Sequence, residues 1–172
     1  MPEPLRVLIV EDSEDDAALL VRELRRGGWA PRFERVETAE EMRAALDREP
    51  WDLVVADYAL PQFSAPAALA IIRECRLDLP FIIVSGTIGE DTAVAAMKAG
   101  AHDYLMKGNY ARLVPAIERE LREDRARRER AKLEGERRAL EERYRQVLTI
   151  AADGVVVEIG RASCRERVYV LV

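Results

Sequence analysis

Three apolar runs without internal alternation, Val7-Leu8-Ile9-Val10, Leu53-Val54-Val55-Ala56 and Phe81-Ile82-Ile83-Val84, constrain this chain more than any other feature. Strands that are apolar at every position are covered on both faces, which is the situation in a parallel sheet with helices on each side. Tyr104-Leu105-Met106 is a fourth run of this kind, and Pro31 to Val36 is a weaker, alternating one that reads as an edge strand. Segments of helical period lie between them. Ala17, Leu20, Val21 and Leu24 recur at three and four residues and close at Gly27-Gly28. Further helices are expected near Ala39 to Asp47, with Met42 and Leu46 on one face, near Ala65 to Glu74, and near Thr92 to Ala99 before Gly100. Five strands with interleaved helices predict a small α/β, doubly wound domain on a five-stranded parallel sheet.

Composition narrows the function classes. The 172 residues carry a formal net charge of −5 and are 49% hydrophobic, enough for an ordinary core. No apolar run approaches the roughly 20 residues that span a bilayer, and Met1-Pro2-Glu3-Pro4 opens no signal peptide, so no membrane contact and a cytoplasmic location are expected. Cys75 and Cys164 are too few for a disulfide framework or a zinc site. A metal would therefore be held by oxygen. The acidic balance lacks the basic excess of a dedicated nucleic-acid binder, and no DNA-binding motif is evident. Only three lysines occur, Lys98, Lys107 and Lys132.

Four of the strands stop at a polar residue suited to phosphate or metal chemistry: Glu11-Asp12, Asp57, Ser85 and Lys107. In a parallel sheet these collect at the carboxyl edge, where doubly wound folds bind ligands. Any one of them alone is more simply a polar residue leaving the core; four together are not. Three carboxylates in one crevice repel unless a proton or a cation sits among them, and an all-oxygen site with room for water suits Mg²⁺. Asp57 can then serve as a nucleophile. Lys107 and the Ser85 hydroxyl, or nearby backbone N–H groups, can neutralise phosphoryl oxygens.

These residues resemble, in order and spacing, the response-regulator receiver (CheY-like) domain of two-component signalling, over about residues 4 to 123. The resemblance implies strand order 2-1-3-4-5 and phosphoryl transfer to Asp57 from a histidine kinase or phosphotransfer protein. It implies Mg²⁺ held by Asp12, Asp57 and the backbone carbonyl of Ala59, with Glu11 acting through water. It also implies a switch in which Ser85 moves toward the phosphoryl group and Tyr104 turns inward, altering the face of the fourth helix, fifth strand and fifth helix. Gly108 stands where most receivers have proline, and can supply the turn that the loop needs. A receiver is not an enzyme beyond its own phosphorylation and dephosphorylation, although the intact protein could be a hybrid kinase or a cyclase. Two rivals remain: an aspartate-nucleophile phosphatase, weakened because Ala59 stands where the general acid belongs, and a scaffold that only dimerises. His102 reads as an incidental loop residue, Cys75 as helix packing, and Trp29 and Trp51 as structural residues at the opposite sheet edge.

The domain boundaries expected are 1–123 for the receiver, 124–149 for a charged helical linker, 150–157 for the truncated start of a PAS-like domain, and 158–172 for a non-native tail. Ala126, Leu133, Leu140 and Val147 recur every seven residues. That seam leaves open a homodimer through the linker, alongside the fourth-helix face, or a solvated single helix laced with ion pairs. The run from Glu142 to Val157 resembles the opening of a PAS sensor domain, reaching only its first turn and strand. Glu158 to Val168, EIGRASCRERV, resembles the translation of a short-read sequencing adapter, with Tyr169 to Leu171 as an index. The native chain is then expected to diverge near Val157 and to be longer.

Overall fold

A computed structural model describes residues 2–58, 60–86 and 89–159, with Glu90 and 147–159 as backbone only. Five strands, β1 (Glu3–Val10), β2 (Trp29–Val36), β3 (Leu53–Asp57), β4 (Phe81–Ser85) and β5 (Asp103–Met106), form one parallel sheet in the order β2-β1-β3-β4-β5. Helices α1 (Glu14–Arg26), α2 (Ala39–Arg48), α3 (Ala65–Glu74), α4 (Glu90–Lys98) and α5 (Leu113–Ile159) connect and extend it. The doubly wound fold expected from the apolar runs is the one observed.

The absence of alternation in the strands has a direct packing cause. In β1, Val7 and Ile9 face a core completed by Leu20 and Leu24 of α1 and by Leu113 and Ile117 of α5. Leu8 and Val10 face the other core, with Met42 of α2, Leu69 and Ile72 of α3 and Ala96 of α4. Each side chain of the apolar runs in β1, β3 and β4 is thus buried whichever way it points, and burial of this area is the main favourable term in folding. Three helices begin at side-chain caps. Ser13, Thr38 and Ser64 accept from the backbone N–H groups of Asp16, Glu41 and Ala67, satisfying donors that a helix start leaves orphaned.

Several local readings need correction. A 3-10 turn at Tyr110–Arg112, which the helical period did not signal, precedes the last helix, and that helix begins at Leu113. Cys75 is exposed at the C-cap of α3 rather than packed, because the helix ends there and its side chain falls beyond the buried stripe of Leu69 and Ile72. The segment 150–157 continues α5. A strand with no neighbour leaves its backbone groups unpaired, whereas a helix satisfies them within the segment. The proposed adapter-derived tail lies outside the described residues from 160 onward. His102 is not incidental, as shown below.

The chain divides into two compact units, one ending at Ala126 and one starting at Arg127. In the first, α5 buries Leu113, Ala116, Ile117 and Leu121, and the same stripe carries two buried acids, Glu120 and Asp124. In the second, Leu133, Leu140 and Tyr144 are more than half exposed. Ion pairs there run along the helix from Lys132 to Glu136 and from Arg137 to Glu141. Among the described residues no helix is long and apolar enough to cross a membrane.

Candidate functional site

The site forms where the carboxyl ends of β1, β3, β4 and β5 meet. Glu11 follows β1 directly, and its N–H donates to the Val36 carbonyl at 3.1 Å, which holds the first turn of the β1–α1 loop against β2. Arg35, at the end of β2, donates from one nitrogen to the carbonyls of Glu11 and Asp12 at 3.0 and 3.2 Å and also pairs with Glu37. A cation therefore pins the acidic loop from below, a role that the sequence did not suggest. Asp57 ends β3 in register with Val84 of β4. Ser85 ends β4 and is buried, and its carbonyl accepts the N–H of Lys107 at 2.7 Å. The sheet itself thus places the lysine beside the carboxylates.

Carboxylate oxygens of Glu11, Asp12 and Asp57 lie within 4.8 Å of one another. Asp12 is exposed, while the Glu11 side chain is 7% and that of Asp57 13% exposed. The Lys107 ammonium reaches Glu11 Oε2 at 2.8 Å, Asp57 Oδ2 at 2.8 Å and Asp16 Oδ2 at 2.5 Å. Asp16 was not among the residues singled out by sequence. Burial raises the Glu11 carboxyl above its ordinary range, against the opposing pull of Lys107. Burial also works against the Lys107 charge, but hydrogen bonds to Asp16, Asp57 and Glu11 outweigh it and raise the ammonium above the ordinary lysine value. The Tyr110 phenol, which lines the same cleft, is raised by burial first and by the nearby Asp16 charge second.

Three carboxylates thus share one ammonium while Asp12 stands beside two of them, an excess of negative charge that a divalent cation would relieve. The donor set is all oxygen and part-exposed, which suits a hard ion that retains water. Ala59, whose carbonyl was expected to complete the set, lies outside the described residues. Gly108 adopts φ +90°, a left-handed backbone that favours glycine and lets the chain turn directly after Lys107. Tyr104 is half-buried and meets Tyr58 edge to face, with ring centroids 6.3 Å apart and planes at 63°.

The family model of the response regulator receiver domain matches residues 7–118. The chain belongs to the response regulator receiver family. It is 35% identical over 102 residues to the transcriptional regulatory protein PrrA of Mycobacterium tuberculosis, an alignment covering 59% of this chain and 43% of PrrA. It is 36% identical over 107 residues to the response regulator protein FleR of Pseudomonas aeruginosa, covering 62% of this chain and 22% of FleR. The chain therefore spans less than half the length of these relatives. Among solved structures, NtrX from Brucella abortus superposes with a TM-score of 0.67 at 28% identity, over 76% of this chain and 29% of NtrX. A response regulator receiver domain protein from Clostridium thermocellum gives a TM-score of 0.62 at 22% identity over 71% of this chain and 98% of that one, which speaks to the fold. This receiver is thus homologous to response regulators of two-component systems.

Proposed function

We propose that this receiver accepts a phosphoryl group on Asp57 from the phosphohistidine of a partner histidine kinase or phosphotransfer protein. A carboxylate oxygen of Asp57 forms the bond to phosphorus as the P–N bond breaks, and the departing imidazole nitrogen takes a proton from water. The observation that carries this reading is the contact of Lys107 Nζ with Asp57 Oδ2 at 2.8 Å inside the carboxylate cluster. Catalysis of phosphoryl transfer is mainly positioning and charge stabilisation, and a held ammonium beside the acceptor oxygen supplies both. Glu11, Asp12 and Asp57 are the residues that would hold Mg²⁺. The divalent charge, when bound, offsets the negative charge of the transferring group. The Ser85 hydroxyl, at the end of the neighbouring strand, is the proposed further donor.

The switch proposed for Ser85 and Tyr104 has its outlet on α4 and β5, where Val94, Met97 and Met106 are exposed. Exposed apolar side chains clustered on adjacent elements support this face as the partner surface. Output in the intact protein is proposed to reside in a module beyond the linker. A phosphatase reading finds no support in an aspartate two residues after Asp57, since that residue is Ala59.

The test is incubation of the chain with Mg²⁺ and acetyl phosphate, read by intact mass, beside Asp57→Asn and a chelated control. One added phosphoryl group in the wild type, and none in either control, is the expected result. Absence of an adduct, together with no response to beryllofluoride, would replace the phosphoacceptor by the scaffold.

A further inference from the structure

Asp16 sits three residues after the N-cap Ser13, the position from which an acidic side chain commonly folds back to the cap N–H. Here that N–H is already taken, because Ser13 N donates to Glu11 Oε1 at 3.2 Å. The Asp16 backbone is nonetheless fixed, its own N–H donating to Ser13 Oγ at 3.2 Å. With its backbone held and its customary partner occupied, the carboxylate turns to Lys107 at 2.5 Å.

The ammonium has three N–H donors and no acceptor. Its three contacts go to Glu11, Asp16 and Asp57, on three separate segments. Two of these, Glu11 and Asp57, belong to the carboxylate cluster that would hold a cation. Among the described contacts, Asp16 is the one lysine acceptor outside that cluster. Lysine is a flexible four-carbon stem carrying a point charge, so once Glu11 and Asp57 are engaged elsewhere it needs a separate anchor to stay in place.

We propose that Asp16 is a positioning residue for phosphoryl acceptance: it retains Lys107 within reach of Asp57 when the other two carboxylates are claimed by a cation and a phosphoryl group. This rests on the reading of Asp57 as phosphoacceptor. Among the described contacts the Asp16 carboxylate reaches the cluster through Lys107, and it is through the lysine that it acts.

The full chain, as wild type, Asp16→Ala and Asp16→Asn, is tested in three ways. Phosphorylation by acetyl phosphate is followed by intact mass, Mg²⁺ affinity by calorimetry, and the lysine ammonium signals by ¹⁵N-edited NMR. With three lysines in the chain, the one held ammonium stands apart from two solvated ones. Asp16→Ala is expected to slow adduct formation about tenfold, as misplacement of a catalytic group does, and to erase the protected ammonium signal. Mg²⁺ affinity is expected to stay within about threefold, the effect of removing one nearby but non-ligating charge. Asp16→Asn keeps an acceptor oxygen and is expected to recover most of the rate. A wild-type rate in Asp16→Ala overturns the proposal. So does a slow Asp16→Asn equal to Asp16→Ala, or a rate loss that follows lost Mg²⁺ binding, since either would assign Asp16 to bulk charge. Failure of the wild type itself to form an adduct would instead remove the phosphoacceptor reading beneath it.

Discussion

Phe81 donates its backbone N–H to Nδ1 of His102 at 3.1 Å, and His102 returns its own N–H to the Phe81 carbonyl at 2.8 Å. One residue thereby closes both sides of a pairing that a strand ladder would otherwise need two residues to complete. The imidazole side chain ends the β4–β5 ladder at the amino edge of the sheet, opposite the carboxylate cluster.

Because Phe81 is fully buried, His102→Ala leaves its N–H without an acceptor. An unsatisfied buried donor costs about 1–3 kcal/mol, so the midpoint of urea unfolding is expected to fall accordingly. His102→Asn presents an acceptor oxygen at similar reach and is expected to retain more than half of that stability. Equal losses in the two variants would show that ring packing, rather than the hydrogen bond, is what matters.

Charge crowding makes an opposite prediction at the acceptor. Asp57→Asn removes one of the three carboxylates that contact Lys107 while keeping an oxygen that can still accept from the ammonium. The metal-free variant is expected to be more stable than wild type by about 1 kcal/mol. Saturating Mg²⁺ should narrow or reverse the difference, because it stabilises the wild type preferentially. Thermal unfolding with and without Mg²⁺ checks both statements.

Glu11 gives a pH dependence with a defined sign. Its folded carboxyl is raised by burial, so the folded state holds the proton more tightly than the unfolded chain. Its stabilising contribution is therefore complete below the ordinary glutamate value and is lost as pH rises through the raised one. Metal-free wild type is expected to lose stability with pH in that window, while Glu11→Gln does not. Mg²⁺ requires the ionised form, so its affinity should increase over the same window. Urea titrations at several pH values, wild type against Glu11→Gln, measure the slope.

The linker is expected to be monomeric in the unphosphorylated protein. In a parallel pair with Leu133 and Leu140 at one core position, Glu129 would face Glu134 of the second copy, and Glu136 would face Glu141. With the leucines at the other core position, Arg125 would face Arg130 and Lys132 would face Arg137. Both registers set like charges against each other at the flanking positions that choose coiled-coil partners. The helix instead satisfies its charges internally, as between Lys132 and Glu136. Sedimentation equilibrium at micromolar concentration should return the mass of one chain.

The residues legible in the sequence share one property: their role follows from local pattern. Val7 to Val10 announced a strand buried on both faces, and Glu11, Asp57, Ser85 and Lys107 announced an edge because each terminates such a run. Asp16 was not legible by that rule. An acid in the first turn of a helix already has an ordinary explanation in the helix dipole, and only the capture of the Ser13 N–H by Glu11 reveals that the side chain is free for Lys107. His102 escaped for a similar reason, since its partner is a backbone N–H and carries no sequence signature. Glu120 and Asp124 could have been found. They fall on the spacing of Leu113, Ala116, Ile117 and Leu121, but as acids beside a densely charged run they read as part of its solvated face.

The grip on Lys107 also bears on its reactivity as an amine. A nitrogen attacks an acyl carbon only through a free lone pair, and an ammonium bound by three carboxylates, with its proton affinity raised, offers none at neutral pH. Acetyl phosphate, which can acetylate lysines as well as phosphorylate aspartate, should therefore modify the exposed Lys98 and Lys132 and spare Lys107. The site would keep its cation intact in the presence of a reagent that blunts the others.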